Sequence, residues 1–395
     1  DISEYASTIS GRPVYGMMLG DIVHENMSLY DNYCKDLAKL DFPFYSVIGN
    51  HDNDPTAAND DAGAAYFENN LGPRNYSFNV GKFHVVVLDN LIMRLNSSGQ
   101  LKDYDQGLTD DIWKWLQNDL SYVDYSTPLI VCAHSPMFMI ASGTDRSQTT
   151  TTRHGADYAL FLSKYKKVYA WAGHVHNSFN YVYDAASKFP NIEVHTVSRA
   201  TGALWINEWL CEDGTPRGYI VAEADGENLS WQFKPIAYQS KTAVGEIPSY
   251  KLRDFTFNAD GVAMRGGKKL DATYQLRAYP RGTYDDKYVY ANVFMYDEKW
   301  GDVKFTSSKN GSAVMSKVTE KNRKYDAAYK EVFDFYKASG SALSSSADFK
   351  LFDNSGNVVT PVTHLFRCYS SAESDSGTVT VTDRFGNEYS TTVSW

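Results

Sequence analysis

Short apolar runs recur through the first half of the chain, at residues 14–19, 44–48, 83–88, 129–133 and 168–172. Each is rich in Val, Ile, Tyr or Phe and too short for a helix, which predicts buried strands. Between them apolar residues return at helical spacing: Leu29, Tyr33, Leu37 and Leu40 share one face, and Ile112, Trp113, Leu116 and Leu120 share another. Thr109 followed by Asp110 and Asp111 makes a start for the second helix, because a hydroxyl cap and carboxylates both favour the first turn. Alternating strand and helix predicts a layered α/β architecture with a largely parallel sheet.

The pattern changes from about residue 250. Segments 274–279, 288–296 and 377–382 read as strands separated by Gly, Asp and Asn turns, and Asp383-Arg384-Phe385-Gly386-Asn387 followed by 389–393 reads as a closing hairpin. One helix interrupts them, carried by Tyr325, Ala328, Tyr329, Val332, Phe333 and Tyr336. This predicts a smaller α+β, β-sandwich-like module after the polar stretch 239–249, so the expected domains are 1–240 and 241–395, with 209–235 able to pack on either half. There is no internal repeat, and low complexity is confined to 149–152 and 344–346.

A length of 395 residues fits two or three domains, and 43% hydrophobic with 22% charged residues is a globular composition. The formal charge, 38 basic against 48 acidic residues or −10, offers no basic face for phosphate backbones, so no nucleic-acid partner is expected. The longest apolar stretch, 128–141, contains His134 and falls short of a membrane span. Four cysteines, Cys34, Cys132, Cys211 and Cys368, form no CxxC pair, which argues against a zinc knuckle or a thioredoxin-type site. The chain begins at Asp1 with no initiator Met, signal peptide or lipid-attachment Cys, so a removed upstream segment is expected.

The polar residues that follow the apolar runs carry the chemistry. Gly20-Asp21 follows the first, Gly49-Asn50-His51-Asp52 the second, His134-Ser135-Pro136 the fourth and Gly173-His174-Val175-His176 the fifth. All lie just past the C-terminal ends of predicted parallel strands, where open α/β sheets build their binding crevices. A mixed Asp, Asn and His donor set suits Mn, Fe, Zn or Co better than Ca or Mg. A single His or Asp at a strand end is more often a hydrogen-bonded loop residue, and it is the ordered set that reverses this.

That set, in this order, resembles the calcineurin-like metallophosphoesterase superfamily over roughly the first 200 to 235 residues. The stretch Asp213-Gly214-Thr215-Pro216-Arg217-Gly218-Tyr219 and the β-rich remainder resemble the C-terminal module of a bacterial, often exported, subgroup. The resemblance implies a four-layer αββα sandwich followed by the β-rich module. It also implies two divalent metal ions and hydrolysis of a phosphomonoester or phosphodiester by a hydroxide that they activate. By position, Asp21 matches the bridging ligand, Asn50, His134 and His174 the other ligands of one metal, and His176 a ligand of the second. His51 matches the histidine that contacts the phosphate and protonates the leaving group, with Asp52 expected to orient it.

The family's Asp-x-His is absent from residues 1–19, which contain no histidine. The expectation is therefore a catalytic sheet lacking its first strand, with weak first-site metal binding, and His24, three residues after Asp21, as an added ligand. The expected substrate is a small phosphoester or envelope-derived compound, and the expected location is exported, periplasmic or at the cell surface. The alternatives are a non-catalytic cell-envelope binding protein on a degenerate phosphoesterase scaffold, and a carbohydrate- or envelope-binding protein whose C-terminal module does the specific work. Asp89, Asn90, Arg153, His154, Trp205, Trp209 and the 279–281 cluster are candidates for the crevice, each with packing or turn chemistry as the plainer account. His84, His195 and His364 are expected to be structural.

Overall fold

A computed structural model of the chain describes residues 1–137, 140–142, 145–148, 153–182, 189–201, 209–238, 254–319, 324–338, 351–359 and 362–395, and the statements below concern these. The boundary at 240/241, the stretch 239–249, Trp205 and the tracts 149–152 and 344–346 lie outside them.

Strands Phe83–Leu88, Leu129–Ala133 and Val168–Ala172 have the predicted bounds. The runs at 14–19 and 44–48 are paired only over Gly16–Met18 and Phe44–Ser46, because the residues after them turn off to form site loops. The helix Asp110–Leu120 starts where Thr109 Oγ1 accepts the Ile112 amide at 3.2 Å. A six-stranded sheet runs in the order Phe179–Val182, Ile192–Thr196, Val168–Ala172, Leu129–Ala133, Phe83–Leu88, Tyr76–Val80. Its four inner strands are parallel and its two edges antiparallel.

Alternation along these strands decides the layers. Val86, Leu88, Val131 and Ala170 face a core with Leu116 and Leu120 of one helix and Ala159 and Leu162 of the helix Gly155–Leu162. Val87, Cys132 and Trp171 point the other way, against Val47, Met17 and Leu19 of the parallel pair Gly16–Met18 and Phe44–Ser46. Beyond that pair, Ile48 packs with Tyr30 and Phe67 of the helices Tyr30–Leu37 and Ala65–Leu71. The stack is helix, sheet, sheet, helix, the αββα order expected.

The C-terminal part is a sandwich of two four-stranded sheets. Leu276, Val289, Ala291 and Val293 of one meet Phe305, Val379, Val381 and Val393 of the other. The helix Ala327–Ala338 covers the outer face of the first sheet through Ala328 and Val332. The hairpin of Gly218–Asp225 and Asn228–Pro235 belongs to both halves: Leu229 and Trp231 enter the core behind the six-stranded sheet, while Phe233, on the same strand face, enters the C-terminal core. Among the described residues, no helix is long and apolar enough to cross a membrane.

A buried ion cluster ties the halves together. Glu193, fully buried on the strand Ile192–Thr196, accepts from Arg384 Nη1 at 2.6 Å and Nη2 at 2.9 Å, from Lys299 Nζ at 2.6 Å, and from Lys167. Burial alone would raise this carboxyl, but hydrogen bonds from His195 and Arg384 hold it far below the usual carboxylate range. Because the folded-state value is depressed, the stabilisation is fully present above the ordinary Glu range and is lost progressively as pH falls from that range to the folded value. Glu193→Gln, which leaves the half-buried Arg384 and Lys167 and the more exposed Lys299 without their shared carboxylate, is expected to lower stability at pH 7 by about 3 kcal/mol. The difference in urea midpoint between wild type and variant should begin to narrow as pH falls below about 4 and go on narrowing in stronger acid; equal midpoints at pH 7 would remove the cluster as a link between the halves.

Candidate functional site

Parallel register brings the strand ends level, with Leu88 opposite Ala133 and Cys132 opposite Trp171. The loops that follow converge, and the Gly173 amide donates to the His134 carbonyl at 3.0 Å. Two glycines permit the close approach. A Cβ on Gly20, whose φ is +96°, would collide with His134 Nδ1, and one on Gly49 would collide with the Asp21 backbone nitrogen and carboxylate. Asp21, His24, Glu25, His174 and His176 all have φ between +46° and +63°. Side chains other than Gly reach this region at a cost of order 1–3 kcal/mol each, and such residues cluster where a surrounding structure over-determines them.

The buried Asp52 carboxylate provides that surrounding. Its Oδ2 accepts the Asp21 and Gly49 amides at 2.9 and 2.8 Å, and its Oδ1 accepts the Ile22 and Val23 amides at 2.6 and 3.1 Å. Burial and the nearby Asp21 charge push its pKa up to about 6, against the pull of those amides. Asp52 was expected to orient His51. The structure gives that contact to Glu25, whose Oε1 lies 3.2 Å from His51 Nδ1, since both Asp52 oxygens are engaged with backbone.

Asp21, His134 and His174 bring possible ligand atoms within 4.8 Å of one another. His134 is buried, and its Nδ1 lies 2.6 Å from the Leu19 carbonyl, an acceptor only, so Nδ1 carries a proton. Its Nε2 is buried, lies 3.1 Å from Asp21 Oδ2, and lacks the alignment of a hydrogen bond. A histidine that donates from one nitrogen to a backbone carbonyl and points the other at a carboxylate is arranged as a metal ligand. The donor set therefore fits a divalent cation. His174 Nδ1 lies 3.1 Å from Asn50 Oδ1 and its Nε2 3.2 Å from Tyr104 Oη. Burial, reinforced by the neighbouring His134, pushes the pKa of His174 down to about 4, which keeps it neutral and able to ligate. Burial would raise Asp21, but His134 holds it well below the carboxylate range and so charged.

His51 sits beside this group, its amide donating to Asp21 Oδ1 at 3.1 Å. His24 is exposed and packs its ring on His51 with centroids 4.8 Å apart. Neither His24 nor His176 is among the residues whose ligand atoms meet within 4.8 Å. Asn90 clamps the loop after His134, donating to the Ser135 carbonyl at 2.7 Å and accepting its amide at 3.1 Å. Arg153 and His154 bind Asp110 at 2.7 and 2.8 Å, so both are tied to a helix start. Trp209 and Tyr279 are core residues.

Three neighbours of the site were not anticipated. Glu25 holds His51, Lys102 forms an ion pair with Glu25, and Tyr104 reaches His174. Lys102 and Tyr104 share one face of the strand Leu101–Gln106, which pairs with Leu91–Leu95. The turn residues Asn96-Ser97-Ser98-Gly99 between two short runs were the available signal for this hairpin.

Residues 8–178 match the family model described as calcineurin-like phosphoesterase, and residues 195–389 match the model described as the C terminal of calcineurin-like phosphoesterase. The chain belongs to the calcineurin-like phosphoesterase superfamily. A probable glycerophosphodiester phosphodiesterase GpdQ of Arcobacter nitrofigilis is 27% identical over 175 residues, which are 44% of this chain and 60% of that protein. Among solved structures, the purple acid phosphatase PPD1 of yellow lupin (Lupinus luteus) aligns with a TM-score of 0.42 at 18% identity, over 59% of this chain and 45% of its own. A putative 5'-nucleotidase from Staphylococcus aureus aligns at 0.33 and 15% identity, over 59% and 46%. Phosphoesterases of this superfamily use divalent metals, and Asp21, His134 and His174 are arranged to hold one. In this calcineurin-like phosphoesterase, Asp52→Asn is expected to lower stability by roughly 2–4 kcal/mol, since an amide replaces one acceptor of buried N–H groups with a donor. A denaturation midpoint equal to wild type would show that the four amides do not depend on the carboxylate.

Proposed function

We propose that the chain is a metal-dependent phosphoesterase acting on a small phosphodiester or phosphomonoester. The observation that carries this is the buried Nε2 of His134, fixed in its tautomer by Leu19 and directed at Asp21 beside His174. Asp21, Asn50, His134 and His174 are the residues that would hold one cation; Asp21 and His176, with His24 as an added donor, would hold a second. Divalent cations there would neutralise phosphoryl oxygens and make a bound water acidic enough to react near neutral pH.

The chain's own residues would do the rest. With Nδ1 engaged by Glu25, the other ring nitrogen of His51 is left to meet a phosphoryl or leaving-group oxygen, and a proton held there would pass to the departing alkoxide. Lys102, paired to the second Glu25 oxygen, keeps that carboxylate turned toward the imidazole. Tyr104 limits access on the His174 side. The name of the Arcobacter relative favours a diester over a monoester. Export to a bacterial periplasm or cell surface belongs to the same reading and rests on the resemblance to an exported subgroup.

The Mn²⁺-loaded chain is expected to hydrolyse bis(p-nitrophenyl) phosphate, and to do so faster than p-nitrophenyl phosphate. His51→Ala should lower kcat by about 10²–10⁴-fold, the range for loss of a positioned general acid. Asn50→Ala should weaken Mn²⁺ binding. Turnover of neither ester by the loaded wild type, or an unchanged kcat in the His51 variant, would overturn the proposal.

A further inference from the structure

The loop that carries His174 and His176 is held at both of its ends, and the second anchor is itself seated on the C-terminal sandwich. At the start, the Gly173 amide donates to the His134 carbonyl. At the end, the buried Ser178 amide donates to Asp213 Oδ2 at 2.6 Å. Between the anchors both histidines have left-handed backbone, at φ +62° and +63°, a conformation that persists only where its ends are fixed.

Asp213 is itself positioned by the C-terminal module. It is fully buried, and its Oδ2 also faces His364 Nε2 at 3.1 Å while Oδ1 accepts the Thr215 amide at 2.9 Å. The other ring nitrogen of His364 lies 2.6 Å from Asn292 Oδ1. The Asn292 amide nitrogen donates to the Asp213 carbonyl at 2.7 Å and to Asp326 at 2.9 Å, which fixes the orientation of its side chain. Gly214, at φ +78°, lies so close to Asp326 that a Cβ would collide with its carboxyl, and Arg277 Nη1 donates to the Gly214 carbonyl at 3.0 Å. The stretch after Cys211 is therefore seated rigidly on the module. Two residues past Ser178, Asn180 Nδ2 donates to the carbonyls of Met295 and Tyr296 at 2.9 and 3.1 Å.

We infer that the C-terminal module is a working part of the metal site: His364, acting through Asp213 and the Ser178 amide, is a positioning residue that holds the His174–His176 loop in ligating geometry. This rests on the phosphoesterase reading above for its catalytic consequence, but the mechanical part stands on the hydrogen bonds alone. It also gives a physical reason for Asp213-Gly214 in the stretch that the sequence set apart: a carboxylate is needed to accept the loop amide, and a glycine to let it approach Asp326.

The test uses the full chain with His364→Gln, which keeps a donor near Asp213, and His364→Ala, which does not. Hydrogen exchange of residues 174–180 is measured without metal, Mn²⁺ affinity by calorimetry, and kcat and KM with bis(p-nitrophenyl) phosphate. Expected are faster exchange over 174–180 with the strand Phe83–Leu88 unchanged, Mn²⁺ affinity lower by about ten- to a hundredfold, a fall in kcat with KM near wild type, and a glutamine variant that lies between wild type and alanine. Should the alanine variant not fold, the glutamine variant and Asp213→Asn carry the same readouts. A folded variant with unchanged exchange and unchanged Mn²⁺ affinity overturns the inference and leaves the phosphoesterase reading intact. A wild type that neither binds Mn²⁺ nor hydrolyses the ester overturns that reading, and the exchange rates alone then decide this one.

Discussion

Everything at the candidate site depends on one buried carboxylate. Asp52 receives amides from both the loop after Gly16–Met18 and the loop after Phe44–Ser46. A carboxylate satisfied by several backbone N–H groups tolerates burial that would otherwise be prohibitive. Hydrophobic packing could bring the two loops near each other but could not set their rotation, because it is non-directional. Four directed hydrogen bonds do set it. They place the Asp21 side chain against His134, and glycines at 20 and 49 leave space for the approach.

The arrangement has an electrostatic consequence. Asp21 is held charged, His174 is held neutral, and His134 keeps a proton on Nδ1 because the Leu19 carbonyl can only accept. Burial alone would favour the uncharged form of the carboxylate. The group thus gathers a charged carboxylate and imidazole nitrogens about one small volume, the pattern a divalent cation requires. The outer residues extend this order: Tyr104 and Asn50 each meet one ring nitrogen of His174, and Glu25 meets His51.

The layered fold and the loops that bring Asp21, His134 and His174 together were legible in the sequence because both follow from local rules. Strand-length apolar runs, a Thr cap and polar residues at strand ends each report on a few neighbouring positions. Asp52 does not orient His51 because a carboxylate next to a histidine in sequence need not face its ring; here both oxygens turn to the amides of residues 21–23 and 49. Lys102 and Tyr104 reach the site on the strand Leu101–Gln106, whose residues are mostly charged and polar, so hydrophobic periodicity did not mark it. His364, 151 residues from Asp213 in the chain, shows no signal of its contact in any window of sequence.

The two polar seams between the halves invite a common account. Glu193 with Arg384, and Asp213 with His364, both join the six-stranded sheet and the residues beside it to the C-terminal sandwich; the second pair is buried and the first is buried at its carboxylate. Replacing buried ion pairs by apolar residues is often neutral or stabilising, so their worth does not lie in added stability. Apolar packing of Trp231 and Phe233 already supplies adhesion, but such surfaces accept small rotations at little cost. A charged pair that must meet its partner within hydrogen-bond distance accepts far less. With one seam on the strand Ile192–Thr196 and the other at Ser178, the sandwich is held to the sheet by directed contacts at two separate places, one of them at the end of the loop bearing His174 and His176.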